Sequence, residues 1–367
     1  MERILYATLA MSGICAALAA LLLVAERYLA HYGRCTIRIN RGQKALDVTG
    51  GRTLLQGLMD EGIFIPSACG GRGTCAYCKL KVIEGGGPLV PTEAPLLTQE
   101  EIADGVRLSC QVKVRSDVAI QVPEELFLVK DYTGVVEKIT DLTHDVKELR
   151  IRLVKPDTIE FEPGRYIQLE APAYGDNPEA VYRAYSISSP PSQEHAIELI
   201  IRLVPDGICT TWVFTILRQG DQVHVNGPYG KFGLTDSDRE MVWIAGGSGM
   251  APFWGMVRHM HEKRIARPCT YFFGARTRDD LFLADELRAL EAKMPNFTFI
   301  PALSEPPEGG GWDGQTGLIT EVVDRHVEDL ADVECYLCGS GGMIRAAIRV
   351  LEAKRANKER IYYDEFT

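Results

Sequence analysis

Met241-Val-Trp-Ile-Ala245 runs straight into Gly246-Gly-Ser-Gly-Met-Ala-Pro252, and this junction decides the fold of the C-terminal part of the chain. The apolar run reads as a buried strand, the glycines as a tight turn and the residues from Met250 onward as the start of a helix. Such a unit brings backbone amides close enough to hold a dinucleotide pyrophosphate, which makes Gly246, Gly247, Gly249, Met250 and Pro252 candidate contacts. One glycine turn is by itself just a tight connection. Two further segments, Gly274-Ala-Arg276-Thr277 and Cys338-Gly339-Ser340, add to it, because each ends a strand where an open α/β sheet places ligand contacts. Strand-like runs at 270–273, 297–301 and 335–338 alternate with helical ones at 253–263, 281–293, 320–326 and 343–357, which predicts an α/β parallel sheet over residues 239–367. Cys335 and Cys338 spell C-x-x-C but end a strand, so Cys335 reads as core and Cys338 as lining a nicotinamide site, with a thioredoxin-like motif as the alternative. Arg276 and Arg278 could grip a 2′-phosphate. Asp279 and Asp280 follow at once and oppose a further anion, which favours NADH over NADPH.

Working toward the N-terminus, alternating strands at 148–153, 166–170, 196–204 and 222–225 predict a small antiparallel β-barrel over residues 128–235. Arg183-Ala-Tyr-Ser186, expected at the start of a strand, supplies what a flavin diphosphate requires. Arg183 can pair with phosphate, Tyr185 can lie against the isoalloxazine and Ser186 can hydrogen-bond its N5 region. Gly207-Ile-Cys-Thr-Thr211 would open a helix whose amides, with the hydroxyls of Thr210 and Thr211, meet the pyrophosphate.

Between residues 35 and 124, short β-rich runs at 35–40, 79–83, 108–114 and 118–122 surround a helix near 53–61, an α+β pattern. Ser67-Ala-Cys-Gly-Gly-Arg-Gly-Thr-Cys-Ala-Tyr-Cys78 carries Cys69, Cys75 and Cys78 as C-x5-C-x2-C, and Cys110 follows within a strand-like run. Four thiolates around a compact anionic core are what a 2Fe-2S cluster needs, and Gly70, Gly71 and Gly73 let the backbone wrap it. A zinc site on the same sulfurs is the competing reading, but zinc sites usually come as paired C-x2-C units. A Rieske centre would need two histidines, and none lies between Cys69 and Cys110.

At the N-terminus, residues 4–25 carry no charge. As a helix rising ~1.5 Å per residue they reach about 33 Å, enough for one transmembrane helix over residues 1–30. A cleaved signal peptide is the alternative, yet the run exceeds the usual apolar length and the preceding n-region is three residues. Arg27, His31 and Arg34 follow the span while Arg3, offset by Glu2, precedes it, so the C-terminal bulk is expected in the cytoplasm. Composition bounds the rest. With 40 Lys and Arg against 50 Asp and Glu, the 367-residue chain has a net charge of −10 and no basic surplus for nucleic acid. Its 10 cysteines are too sparse for a disulfide scaffold.

The order of these pieces, together with Leu108-Ser-Cys-Gln111 and the terminal Asp364-Glu-Phe366, resembles the NqrF-type subunits of the Na+-translocating NADH:quinone reductases. The resemblance covers nearly the whole chain. It implies a multidomain protein: N-terminal transmembrane helix, α+β β-grasp ferredoxin domain, antiparallel β-barrel FAD domain and α/β parallel-sheet NADH domain. It implies FAD, a 2Fe-2S cluster and NADH as cofactors, with electrons passing in the order NADH, FAD, cluster and then other membrane subunits. It also implies a single pass in the bacterial inner membrane with the folded domains cytoplasmic. Family members place a C-terminal Phe over the flavin ring, and Phe366 occupies the matching place beside Ser186 and Cys338 as a residue expected at the reacting rings. One departure stands out. NqrF-type chains usually carry a sizeable insertion before the R-A-Y-S motif, whereas a short loop, 173–182, lies here, more like the reductase components of multicomponent oxygenases. A membrane-tethered reductase feeding an oxygenase is therefore the alternative, and a non-catalytic redox sensor a third.

Overall fold

The computed structural model describes residues 11–19, 21, 32–67, 69–127, 129–307 and 309–366. Most of the apolar run 4–25 lies outside them. Residues 11–19 form helix α1, with exposed side chains. Among the described residues no helix is long and apolar enough to cross a membrane. The chain divides into two compact units, Met1–Ser67 with Gly71–Leu128 and Ala68–Gly70 with Val129–Thr367.

The first unit is a mixed sheet of β1 (Arg34–Ile39), β2 (Lys44–Thr49), β3 (Lys79–Glu84), β4 (Val106–Leu108) and β5 (Val118–Gln121), ordered β2-β1-β5-β3-β4. Its β1–β5 pair is parallel and the others antiparallel. The expected helix is α2 (Leu54–Asp60). It starts where Thr53 and Gln56 cap each other: Gln56 N donates to Thr53 Oγ1 at 3.2 Å and Thr53 N to Gln56 Oε1 at 3.4 Å. Leu54, Leu55 and Leu58 enter one core with Ile37, Ile39, Leu80, Val118 and Ile120. A helix that sequence periodicity did not reveal, α3 (Gln99–Ala103), repeats the capping box with Thr98 and Glu101, and Lys79 Nζ holds Glu101 from β3 at 2.8 Å.

The strand expected over 108–114 is not formed. β4 ends at Leu108 and the chain turns, with Gln111 N donating to Leu108 O at 2.8 Å and Ser109 N to Cys78 O at 2.9 Å. A buried carboxylate shapes this turn. Glu93, fully buried, accepts from Leu108 N at 2.9 Å and from Arg107 Nη2 at 2.6 Å. Arg107 Nε also donates to Glu93, Nη1 reaches the carbonyls of Gly86 and Gly87, and Nη2 that of Pro88. Such a pair is tolerable inside a protein because its polar atoms are satisfied; removing one partner costs about 3–5 kcal/mol.

In the second unit, β6 (Lys130–Asp141), β7 (Val146–Lys155), β8 (Tyr166–Ala171), β9 (Val181–Ser186), β10 (Ala196–Arg202) and β11 (Gln222–Tyr229) form an antiparallel sheet ordered β10-β7-β6-β11-β8-β9. It curls until Ile187, just past β9, bridges Leu199 of β10. Helix α4 (Ile208–Thr215) plugs it with Cys209, Trp212 and Val213. Arg183–Ser186 closes β9 rather than opening it, so Ser186 stands at a strand end opposite Tyr166.

The remaining strands, β12 (Met241–Gly246), β13 (Cys269–Ala275), β14 (Phe297–Leu303), β15 (Gln315–Thr316), β16 (Glu334–Ser340) and β17 (Ile361–Phe366), form a parallel sheet ordered β15-β14-β13-β12-β16-β17. β12 reads as an unbroken apolar run because both faces are covered. Met241, Trp243 and Ala245 enter the core beneath α5 (Met250–Lys263), and Val242 and Ile244 the core with α7 (Ile319–His326) and α8 (Gly341–Ala353). The helix expected over 281–293 is shorter, α6 (Ala284–Glu291), since Leu283 adopts a left-handed φ of 57° just before it. The terminal Asp364-Glu-Phe366 segment is part of a sixth strand, β17, which periodicity did not suggest.

Candidate functional site

Strand order decides where the dinucleotide motifs meet. From β12 the chain winds outward through β13 and β14, then returns to place β16 on the other side of β12. The switch point therefore lies between β12 and β16, where open α/β sheets bind ligands at their carboxyl edge. Ala245 is paired with Cys338 in that register, so Gly246–Pro252 and Cys338–Gly339 emerge side by side. Gly247 takes a left-handed φ of 56°. At Gly249 a Cβ would run into the Cys338 carbonyl oxygen, so the close approach of turn to strand requires glycine there. No side chain caps the turn or the start of α5, which leaves amides for an anion. The side chains of Met250 and Pro252 are buried, and Tyr271 Oη donates to Met250 Sδ at 3.1 Å. Arg276 Nε donates to Glu305 Oε2 at 3.0 Å, an ion pair with both side chains exposed.

The end of the flavin strand reaches this edge. Ser186, 3% exposed, donates from Oγ to Asp364 Oδ2 at 3.3 Å, and Asp364 lies opposite Cys338 in the β16–β17 register. Burial first, and the Asp364 carboxylate second, push the Cys338 thiol well above its ordinary value, so it remains a neutral S–H at physiological pH. Phe366 sits opposite Ser340 and packs half-buried beside the Cys338 core. Ser186, Asp364, Cys338 and Phe366 thus converge from three strands.

Arg183 and Tyr185 lie half-buried on β9, and Arg183 Nη1 donates to the Tyr182 carbonyl at 2.8 Å. Burial, then the neighbouring Cys209, push the Tyr185 hydroxyl well up. Burial lifts the Cys209 thiol to about 11 against the opposing pull of Tyr185 and Arg183. Gly207 is the N-cap of α4, with no side-chain cap. Thr210 is committed to the turn: its Oγ1 accepts from Val204 N at 3.2 Å and lies 3.2 Å from Gly207 O. Thr211 is half-buried at the first turn.

None of the four motif cysteines is in a disulfide; Cys69, Cys78 and Cys110 are buried and Cys75 half-buried. Cys78 and Cys110 face each other closely enough that their mutual hydrogen bond, ahead of burial, raises the Cys78 thiol far above its ordinary value, while the Ser109 hydroxyl pulls the other way. Gly70, Gly71 and Gly73 take φ of 63°, 85° and 74°, a conformation that turns successive amides toward one side. Soft sulfur donors in such a loop fit an iron-sulfur cluster.

Sequence reasoning missed three groups here. Asp364 stands in the terminal motif without a role of its own, and Glu305 carries no signal in the sequence. Arg202 is held by Asp145 at 2.7 Å, with Nη1 3.3 Å from where a Cβ on Gly247 would stand. It adds positive charge at the glycine turn.

Comparison with known proteins joins these parts. Residues 37–115 match the 2Fe-2S iron-sulfur cluster binding domain family, 133–233 the oxidoreductase FAD-binding domain family and 243–349 the oxidoreductase NAD-binding domain family. The chain is 37% identical to the NqrF subunit of the Na(+)-translocating NADH-quinone reductase of Neisseria meningitidis serogroup C / serotype 2a, over 95% of this chain and 96% of the relative. To that of Marinomonas sp. it is 36% identical, over 97% and 96%. The Neisseria alignment runs over 392 positions against a chain of 367 residues, so the relative has residues without a counterpart here. Among solved structures, the cytochrome P450 reductase GcoB of Amycolatopsis is 28% identical with a TM-score of 0.73, over 91% of this chain and 99% of that one.

Proposed function

The chain belongs to the NqrF family of the Na(+)-translocating NADH-quinone reductases, and from that premise we propose how its residues divide the work. It is an NADH oxidoreductase with FAD and a 2Fe-2S cluster. When bound, FAD takes up hydride from NADH and releases electrons singly to the cluster, chemistry that no side chain supplies. The protein's part is geometry and electrostatics. We assign Gly246, Gly247, Gly249 and Gly339 to close backbone approach around the NADH pyrophosphate, with Arg202 as counter-charge. Arg183, Gly207 and Thr211 hold the flavin diphosphate, and Tyr185 flanks the flavin. Asp364 holds the Ser186 hydroxyl in one orientation, while the neutral Cys338 thiol and the Phe366 ring close the space in which nicotinamide meets flavin. Cys69, Cys75, Cys78 and Cys110 ligate the iron.

We infer that the chain comprises an anchor over 1–30, a cluster domain over 35–124, an FAD domain over 128–235 and an NADH domain over 239–367. In this arrangement the anchor makes one pass through the bacterial cell membrane, the folded domains lie in the cytoplasm and the cluster's electrons pass to other membrane subunits of the reductase. Support for the anchor is the uncharged run 4–25, along which Met11, Ile14, Leu18 and Leu21 are each more than half exposed. The full-length similarity to the NqrF relatives carries the assignment of the complex. A second reading, electron delivery to an oxygenase, draws on the likeness to a P450 reductase and on the relative's residues that this chain lacks. NADH oxidation by membranes that drives Na+ into inverted vesicles supports the first; dependence on an added oxygenase and its substrate supports the second.

A Cys69→Ala variant tests the path. NADH-to-ferricyanide turnover stays within about twofold of wild type, because the flavin itself reduces the dye, while quinone reduction falls by at least ~100-fold. Unchanged quinone reduction would remove the cluster from the route.

A further inference from the structure

Leu108-Ser-Cys-Gln111 carries Cys110, the fourth cysteine of the cluster site. The structure gives Gln111 a contact of its own. Its Nε2 lies 3.5 Å from Cys110 Sγ, within reach for an N–H donor to sulfur, and 3.4 Å from the Cys110 carbonyl. The amide is held from behind: Thr92 Oγ1 donates to Gln111 Oε1 at 2.8 Å, which leaves the NH2 group turned toward the cysteine. Space for it comes from the cysteine loop. A Cβ on Gly73 would stand 2.6 Å from Gln111 Nε2 and 2.8 Å from its Cδ, and Gly73 is left-handed at φ 74°, so the amide can lie across the loop because that position is glycine.

We propose that Gln111, oriented by Thr92 and admitted by Gly73, is a positioning residue that donates an N–H···S hydrogen bond to Cys110 and thereby raises the reduction potential of the 2Fe-2S cluster. The proposal rests on the cluster reading above. A donor to a thiolate ligand stabilises the more negative, reduced form more than the oxidised one, because hydrogen bonds to charged acceptors strengthen with the charge. Hydrogen bonds to ligand sulfurs are among the determinants of iron-sulfur potentials. A higher potential makes the cluster a better acceptor for an electron from the flavin, at the expense of driving force for the step after it.

The test is a redox titration of the detergent-purified full chain, with the reduced cluster followed by its electron paramagnetic resonance signal and the flavin by absorbance. Gln111→Leu keeps a side chain of similar bulk without the donor. At a fixed poise its reduced-to-oxidised cluster ratio falls about tenfold, which is ~59 mV for a one-electron couple. Gln111→Glu, with a carboxylate at the sulfur, shifts the ratio further the same way. Thr92→Val, which releases the amide without removing it, shifts it less, and the flavin ratio does not move in any of them. A fully loaded Gln111→Leu cluster with an unchanged ratio overturns the proposal. If that variant loads no cluster, Thr92→Val decides: a shift in the same direction supports the role and no shift overturns it. Absence of the signal from the wild-type chain would instead sink the cluster reading.

Discussion

The cysteine loop and the nucleotide edge both prepare a place for an electron carrier, and they do it over very different distances along the chain. In the loop, three of the four sulfurs lie between Cys69 and Cys78, and glycines at 70, 71 and 73 bend the backbone locally. At the edge, Gly249 is fitted against Cys338 and Ser186 against Asp364, contacts between residues far apart in sequence. The loop can be shaped by its own dihedrals. The edge exists once β9, β12, β16 and β17 have assembled, so it is sensitive to changes in any of them.

The largest effect should come from the foot of β16. Glu334 is 3% exposed and paired with Arg267 at 2.6 Å, with Thr235 and Tyr336 also donating to it. Glu334→Gln leaves Arg267 without its counter-charge, at a cost of about 3–5 kcal/mol in denaturant unfolding. The loss should abolish NADH binding under conditions where the cluster spectrum persists; simultaneous loss of both would break the contrast. The same group predicts an acid response. Burial alone would raise its carboxyl, but the hydrogen bonds from Thr235, Tyr336 and Arg267 outweigh it and bring it down to about 2. A folded-state value below the unfolded one gives stability that is complete above pH ~4.5 and lost as the pH falls toward 2, about 3 kcal/mol in all. Denaturation of the wild type between pH 6 and 2 should show this loss, and Glu334→Gln should flatten it.

Next is Gly249→Ala, whose Cβ must displace the Cys338 carbonyl. Overpacking of this kind costs about 1–3 kcal/mol, and the KM for NADH should rise about tenfold or more, with the cluster potential unmoved. Asp364→Asn, which keeps the shape but weakens the hold on Ser186, should slow flavin reduction by roughly threefold to tenfold in stopped flow through loss of orientation. Smallest of all is Arg276→Ala. With its guanidinium exposed and engaged by Glu305, the KM for NADH should change less than about twofold; a large rise would give Arg276 a direct role at the nucleotide.

The same contrast governs how far the amino-acid sequence could be read. Spacing alone picked out the cysteine loop Cys69–Cys78 and the strand–turn–helix at Met241–Pro252, because each is a local pattern. The helix near Thr53–Glu61 was legible for the same reason, while its Thr53–Gln56 cap is seen in the structure. Cys110 was expected in a strand and lies in a turn, since that turn depends on Glu93, a buried carboxylate whose partner Arg107 is visible as such only after folding. Arg183–Ser186 was placed at the wrong end of its strand because β-rich runs mark a strand without marking its register. β17 escaped notice: its central residues Tyr362 to Glu365 are polar or amphipathic, and pairing with β16 holds them in the sheet. Asp364 and Glu305 could not have been paired with Ser186 and Arg276 from one sequence, as nothing local links them, and the Gln111 amide, although next to Cys110 in the chain, is turned by Thr92, a residue distant in sequence.

Order of reduction tests the central claim most directly. Anaerobic mixing of the purified chain with NADH should bleach the flavin absorbance first and the iron-sulfur absorbance second, with the cluster phase absent in Cys69→Ala and the flavin phase intact. Cluster reduction that precedes or bypasses the flavin, or a flavin phase that vanishes with the cysteine, would contradict the path from NADH through FAD to the 2Fe-2S cluster.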